Sequence, residues 1–215
     1  MREILTTNTL LCALLWTSLT RARMRRNQTL LSWDTSRLVM AVNGRPGVHP
    51  DLSTPENPYL GNAIVYALVR VTFQHLSMVG DRFIQCLAHA SDAIAESNSP
   101  RKIDCLYVSE IYSLAERSAD YRAIFPGWDL FGSRDLTITS WADLGLYEVD
   151  FGAAMGISDF VRIPESPADG VCIVMPRRKS MEGAESEEMV EVVVILKKDD
   201  MDTLEQDSDW KSIIA

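Results

Sequence analysis

Histidine is scarce in this chain of 215 residues. His49, His75 and His89 stand far apart and form neither an HExxH nor an HxH cluster, so no metal site is expected. The cysteines are few and scattered: Cys12, Cys86, Cys105 and Cys172, without a C-x-x-C or other metal-ligand spacing. Three of them lie among apolar residues, and buried free thiols in a reducing compartment are the expectation. Basic residues are outnumbered, 21 Lys and Arg against 30 Asp and Glu, for a net charge of −9. That balance excludes an ordinary nucleic-acid binder, which needs a basic face for phosphate. No segment approaches the roughly 20 apolar residues of a membrane helix. The chain also lacks a G-x-S-x-G elbow, a P-loop and a G-x-G-x-x-G turn. Carboxylate pairs are plentiful, but no spacing selects one for acid/base work.

What remains is ordinary globular composition, 47% hydrophobic and 24% charged, in a length that suits one domain. Thr6 to Thr9 supply cap residues before a run with Leu11, Leu14, Leu15 and Leu19 on one face, and arginines follow. This predicts a helix over 8–25. The apolar stretch Leu10–Trp16 is short, follows Glu3 and precedes arginines, the reverse of a signal peptide. A buried helix and a cytoplasmic protein are expected. Strands are predicted over 36–43, 61–73, 135–141, 146–149, 160–163, 170–175 and 189–196, and helices over 79–97, 103–115 and 199–207. A polar, acidic loop over 180–188 reads as a hairpin connection. Elements in this order suggest an α+β layered domain, a mixed sheet flanked by helices. Two basic clusters, Arg21/Arg23/Arg25/Arg26 and Arg177/Arg178/Lys179, read as solvated faces or loops.

Five stretches, taken in order, carry more. They are TTNTLLCALLWTSLTRAR, AVNGRPGVHPDL, YLGNAIV, TSWADLGLYEVDFG and GVCIVMP…EVVVILKKDDMDTLEQD. Together they resemble the C-terminal half of the BAHD superfamily of acyl-CoA-dependent acyltransferases. The fungal branch, which includes trichothecene 3-O-acetyltransferase, is the variety they resemble most. The likeness covers nearly the whole chain. It departs from the family pattern at Thr9, where the family has aspartate, and at Ala154, where it prefers glycine; Gly156 substitutes in part.

The resemblance implies one half of the two-domain chloramphenicol-acetyltransferase-like fold, with residues 1–215 as a single C-terminal-type domain. It implies acetyl transfer to a hydroxyl of a fungal secondary metabolite. Acetyl-CoA would be a co-substrate, not a resident cofactor, and a small-molecule alcohol the acceptor. The protein partner would be an N-terminal half-domain or a second copy, with no nucleic acid and no membrane. The family's base is the histidine of H-x-x-x-D, in the N-terminal half. No such motif occurs here: aspartate follows His49 by two residues, His75 by six and His89 by three. The chain is then a shortened or split form of the enzyme, or a non-catalytic remnant that keeps the fold.

By the same resemblance, Thr139 and Trp141, which share a strand face, face the acceptor side of the reaction channel, and Ser140 between them is a further substrate-binding candidate. The Trp141 indole N–H would donate to the reacting oxygen, and Thr139 would orient the alcohol. From the residues alone, a strand tryptophan is more often core. Asn62 either lines the domain interface or satisfies a strand end. Asp150, Phe151 and Gly152 are a structural mark, with Asp150 expected in a salt bridge to Arg45. The Arg177–Lys179 triplet either meets coenzyme A phosphates or decorates a loop.

Overall fold

The computed structural model describes residues 5–214 apart from 55, 57, 126, 130, 131, 165 and 178–188. Thr6 opens the first helix: its backbone is extended, and its hydroxyl oxygen accepts the Thr9 N–H at 3.1 Å. Helix α1 runs Thr7–Arg26 and ends on Arg23, Arg25 and Arg26, cations at the negative end of its dipole. Chain order then gives β1 (Thr35–Asn43), a single turn α2 (Arg45–Val48), β2 (Ile64–Thr72), a second turn α3 (Phe73–Leu76), α4 (Phe83–Ser97) and α5 (Cys105–Arg117). Strands β3 (Leu136–Ser140), β4 (Val171–Val174) and β5 (Val192–Ile195) follow, and α6 (Lys198–Glu205) and α7 (Ser208–Lys211) close the chain.

The strands form one mixed sheet in the order β2-β1-β3-β4-β5. β1 pairs antiparallel with β2 and parallel with β3; β3 pairs parallel with β4, and β4 antiparallel with β5. Side chains alternate across this sheet. Leu38, Met40, Ala67, Val69, Leu136, Ile138, Cys172 and Val174 point to one face and pack against α1, α4 and α6 as the core. The opposite face carries Val39, which is fully buried, and Ala41, Tyr66, Thr137, Thr139, Ile173 and Val193, which are half-buried or exposed. Near Tyr66 it is crossed by Trp128, whose ring meets Tyr66 edge-on at 5.6 Å.

Helix α1 is more deeply embedded than a one-faced pattern predicts. Leu11 and Leu14 are only half-buried, whereas every residue from Leu15 to Arg23 is buried, because the helix lies between the sheet, α4 and α6. Trp16 is fully enclosed, and its indole N–H donates to Ser36 Oγ at 2.8 Å. The first basic cluster is not a solvated face: Arg21 and Arg23 are 2% and 1% exposed. Arg23 donates to Asp169 Oδ1 and to the Asp135 carbonyl, both at 2.8 Å. Arg21 reaches Asp207 Oδ1 at 3.3 Å, Arg25 reaches Asp207 Oδ2 at 2.7 Å, and Arg26 pairs with Asp200. Asp200 and Asp207 are themselves buried, so the network ties the end of α1 to the C-terminal helices. Gly170 belongs to the same knot. Its φ is +78°, and a Cβ there would meet Arg23 Nη2 at 2.7 Å and the Asp135 carbonyl at 2.8 Å.

Two expected strands do not form. Residues 146–149 turn and 160–163 are irregular, because the β3–β4 connection leaves the sheet and finds no neighbouring strand to pair with. The connection contains one isolated bridge, Asp150 to Ile157. The expected 180–188 loop, with Arg178 and Lys179, lies outside the described residues. Cys12, Cys86 and Cys172 are buried and Cys105 is exposed, all as free thiols. Burial pushes the Cys12 and Cys172 thiols up to about 12, which leaves them protonated and unreactive. Among the described residues, no helix is long and apolar enough to cross a membrane.

Candidate functional site

The register gathers several singled-out residues at one end of the sheet. Asn43 pairs with Ile64, and Met40 with Ile138, so the end of β1, the start of β2 and the end of β3 lie side by side. Ser140 pairs with Val174, which brings the end of β4 to the same place. This is where the parallel strands end, and where open sheets commonly bind ligands.

Strand β3 delivers Thr139 and Trp141. Extended pairing continues one residue past the strand, with Trp141 N–H donating to the Val174 carbonyl at 2.8 Å. Leu136, Ile138 and Ala142 face the helices and are buried. Thr139 and Trp141 therefore point to the open face, where both are half-buried. Neither the Thr139 hydroxyl nor the Trp141 indole N–H has a hydrogen-bond partner among the described residues. Ser140 points the other way and is exposed; its hydroxyl accepts from Ala142 N–H at 3.4 Å and shapes the turn after the strand. The backbone of Arg177 donates to the Ala142 carbonyl at 3.2 Å, which fixes that turn to the end of β4.

Asn62 stands at the start of β2. Its side-chain oxygen accepts from Ile64 N–H at 3.0 Å, and its carbonyl accepts from the Tyr112 hydroxyl at 3.1 Å. Of the two roles open to it, the contacts made here are those of a strand end.

The Arg45–Asp150 salt bridge does not form. Arg45 directs Nε to the Tyr59 carbonyl and Nη2 to the Gly61 carbonyl, both at 2.9 Å, and Nη1 to Asn43 Oδ1 at 3.2 Å. These acceptors lie at the end of β1 and on the loop that joins it to β2, and they use all three sides of the guanidinium. Asp150 turns inward on its own segment: Oδ1 accepts from Gly152 N–H at 2.8 Å. Phe151 N–H and Gly156 N–H close the same turn on the Gly156 and Gly152 carbonyls, at 2.8 and 2.7 Å. Gly152 has φ +88°, a left-handed conformation suited to glycine. The motif is thus a self-contained turn that leaves Phe151 56% exposed.

No histidine joins Thr139 and Trp141 as a base by any contact described. The rings of His75 and His89 meet at a tilt of 43° with centroids 4.8 Å apart, beyond the far end of β2. His49 accepts from Asp51 N–H at 3.3 Å and is exposed. No group of three or more His, Cys, Asp or Glu among the described residues is placed to hold a metal ion. The sequence reading missed the buried Arg21/Arg23 network. A signal was present: a basic helix end and an acid-rich C-terminal segment are natural partners.

Residues 2–210 match the model of the family described as Transferase family. Trichothecene 8-O-acetyltransferase of Fusarium sporotrichioides is 29% identical, over 94% of this chain and 43% of that protein. O-acetyltransferase ptmV of Penicillium ochrochloron is 30% identical, over 96% of this chain and 43% of that one. The crystal structure of F. graminearum TRI101 with coenzyme A and T-2 mycotoxin matches with a TM-score of 0.78 at 20% identity, over 97% of this chain and 42% of that chain. Vinorine synthase matches at a TM-score of 0.63 and 18% identity, with 97% and 42% covered. These two likenesses concern the fold. The chain spans less than half the length of the curated relatives it matches.

Proposed function

Because the chain belongs to the transferase family of BAHD-type acyltransferases, we propose that it supplies one half of an enzyme that moves an acetyl group from acetyl-CoA to a hydroxyl of a fungal secondary metabolite. Its mixed sheet and helix layer are those of one half of the chloramphenicol-acetyltransferase-like fold.

The chemistry divides between the halves. The acceptor oxygen attacks the thioester carbonyl and must lose its proton to a base. The tetrahedral oxyanion then collapses, the C–S bond breaks, and the thiolate of coenzyme A takes up a proton. This chain contributes hydrogen-bond donors to that sequence. The Trp141 indole N–H is aimed away from the core and donates to the reacting oxygen; the Thr139 hydroxyl orients the alcohol. Ser140 and Asn62 act from behind, by holding the turn and the strand end that shape this wall. The base is the histidine of an H-x-x-x-D motif on the other half.

The observation that carries this reading is the pair of half-buried donors without a partner among the described residues, Thr139 and Trp141, on the face away from the helices at the end of the parallel strands. The test is free-thiol release from acetyl-CoA with a panel of alcohols, by the chain mixed with a relative's half that bears H-x-x-x-D. Trp141→Phe is expected to lower kcat of that mixture by about 10²–10³-fold, the usual loss for one oxyanion donor. A Trp141→Phe mixture as active as the parent would remove Trp141 from the mechanism. The second reading is a non-catalytic remnant, favoured by Thr9 and Ala154 at two positions where the family pattern differs. It predicts no turnover in any mixture.

A further inference from the structure

The sheet face that carries Thr139 also has a floor and a second wall, and the register fixes the floor. In the parallel ladder of β1 and β3, Val39 pairs with Thr137 and Met40 with Ile138, so Ala41 stands beside Thr139. Ala41 pairs on its other side with Tyr66 of β2. Tyr66, Ala41 and Thr139 thus form one row across three strands, with their side chains on one face. Neighbouring strands lie about 4.8 Å apart, which separates the Tyr66 and Thr139 backbones by about 10 Å. Ala41 is exposed between these two larger neighbours and forms the floor of a trough. Two residues earlier on β1, Val39 is fully buried, so the trough is closed at that end.

The wall opposite Thr139 is aromatic. Tyr66 is 40% exposed where it borders Ala41. Trp128 meets its ring edge-on at 66°, and Phe125 meets Trp128 with centroids 5.3 Å apart. Trp128 is anchored through both of its chain neighbours. The Gly127 carbonyl accepts from the Arg37 guanidinium, and Asp129 N–H donates to Asp135 Oδ2 at 2.5 Å. Asp135 is fully buried, and it accepts from Arg37 N–H at 2.8 Å and from Arg37 Nε at 2.7 Å. One ion pair between the starts of β1 and β3 therefore holds the segment that carries Trp128. The trough has hydrogen-bond donors on one side, Thr139 and Trp141, and fixed ring surface on the other.

We propose that Tyr66 and Trp128 select the acceptor, favouring alcohols whose apolar body is wider than a single ring. The proposal rests on the role given above to Thr139 and Trp141. With the hydroxyl at Thr139, a single six-membered ring ends above Ala41. A second fused ring crosses the trough and packs on Tyr66 and Trp128. Apolar contacts of this kind discriminate between substrates through kcat/KM, by about 10–200-fold for one enclosed methylene.

The test uses the chain mixed with a half bearing H-x-x-x-D, with 2-decalol and cyclohexanol as competing acceptors of acetyl. The parent mixture is expected to prefer decalol in kcat/KM. Tyr66→Thr, which keeps a strand-forming residue, and Trp128→Leu are each expected to lower that preference about tenfold. Tyr66→Phe, which keeps the ring, is expected to retain it. The indole resonance of Trp16, enclosed in the core, reports that each variant is folded. A preference unchanged by Tyr66→Thr, or lost equally in Tyr66→Phe, overturns the proposal. A mixture that acetylates no alcohol of the panel defeats the proposed function instead, and binding then decides the role of the wall. Decalol is expected to shift the Trp128 indole resonance in that mixture and cyclohexanol to leave it in place. No shift with decalol, or an equal shift with cyclohexanol, overturns the proposal.

Discussion

A guanidinium removed from water is tolerated only where carboxylates and carbonyls answer it. Arg23 meets that condition through Asp169 and the Asp135 carbonyl, and Arg21 through Asp207. Removing one partner leaves the other charge buried and alone. Asp169→Ala is therefore expected to cost about 3–5 kcal/mol in urea unfolding. A loss below 1 kcal/mol would mean that the pair is hydrated. Asp207 adds a pH dependence. Burial by itself raises its carboxyl, but the Trp210 N–H and the Arg21 and Arg25 guanidiniums outweigh it and hold Asp207 below its ordinary value. A carboxyl depressed in the folded state adds stability above its unfolded pKa, near about 3.9, that is lost as pH falls through the folded value. The urea midpoint should fall in acid, and Asp207→Asn should lower it at neutral pH and flatten the acid decline. An acid decline as steep in the variant as in the parent would assign it to other groups. None of this network was legible from the residues one at a time. A cationic run at a helix end looks solvated until the topology lays Asp200 and Asp207 across it. The buried thiols were legible, because Cys12, Cys86 and Cys172 sit among apolar neighbours in sequence as they do in space.

Elements with a strong local period were readable, and elements defined by their neighbours were not. Helix α1 starts at a threonine cap and ends among arginines, within one residue of the expected 8–25 at each end. β1 and β2 come from β-branched runs bounded by turn residues. Residues 146–149 and 160–163 have strand-like composition yet form no strand, since a strand exists only through a ladder with another. The Asp150–Gly152 turn illustrates the same limit. Its contacts are local, and so are those of Arg45, which leaves the two residues uncoupled. A double-mutant cycle with Arg45→Ala and Asp150→Ala should give additive losses, within about 0.5 kcal/mol. A coupling of 2 kcal/mol or more would restore the salt bridge that these contacts replace.

At the scale of the molecule, the helices cover one face of the sheet and leave Thr139, Trp141, Ile173 and Val193 on the other. The β3–β4 connection adds exposed Leu144, Phe151, Met155 and Phe160. The family was legible because five motifs occur in its order, and the family supplies the meaning of the uncovered face. Composition alone reached only a globular α+β domain. The roles proposed for Thr139 and Trp141 need a facing surface that carries a base. The central claim, a donor wall without its base, is tested most directly by coenzyme thiol release from acetyl-CoA, measured with the chain alone and with an added half bearing H-x-x-x-D. The account predicts no release above background by the chain alone and acceptor-dependent release by the mixture. Acceptor-dependent release by the chain alone would contradict it.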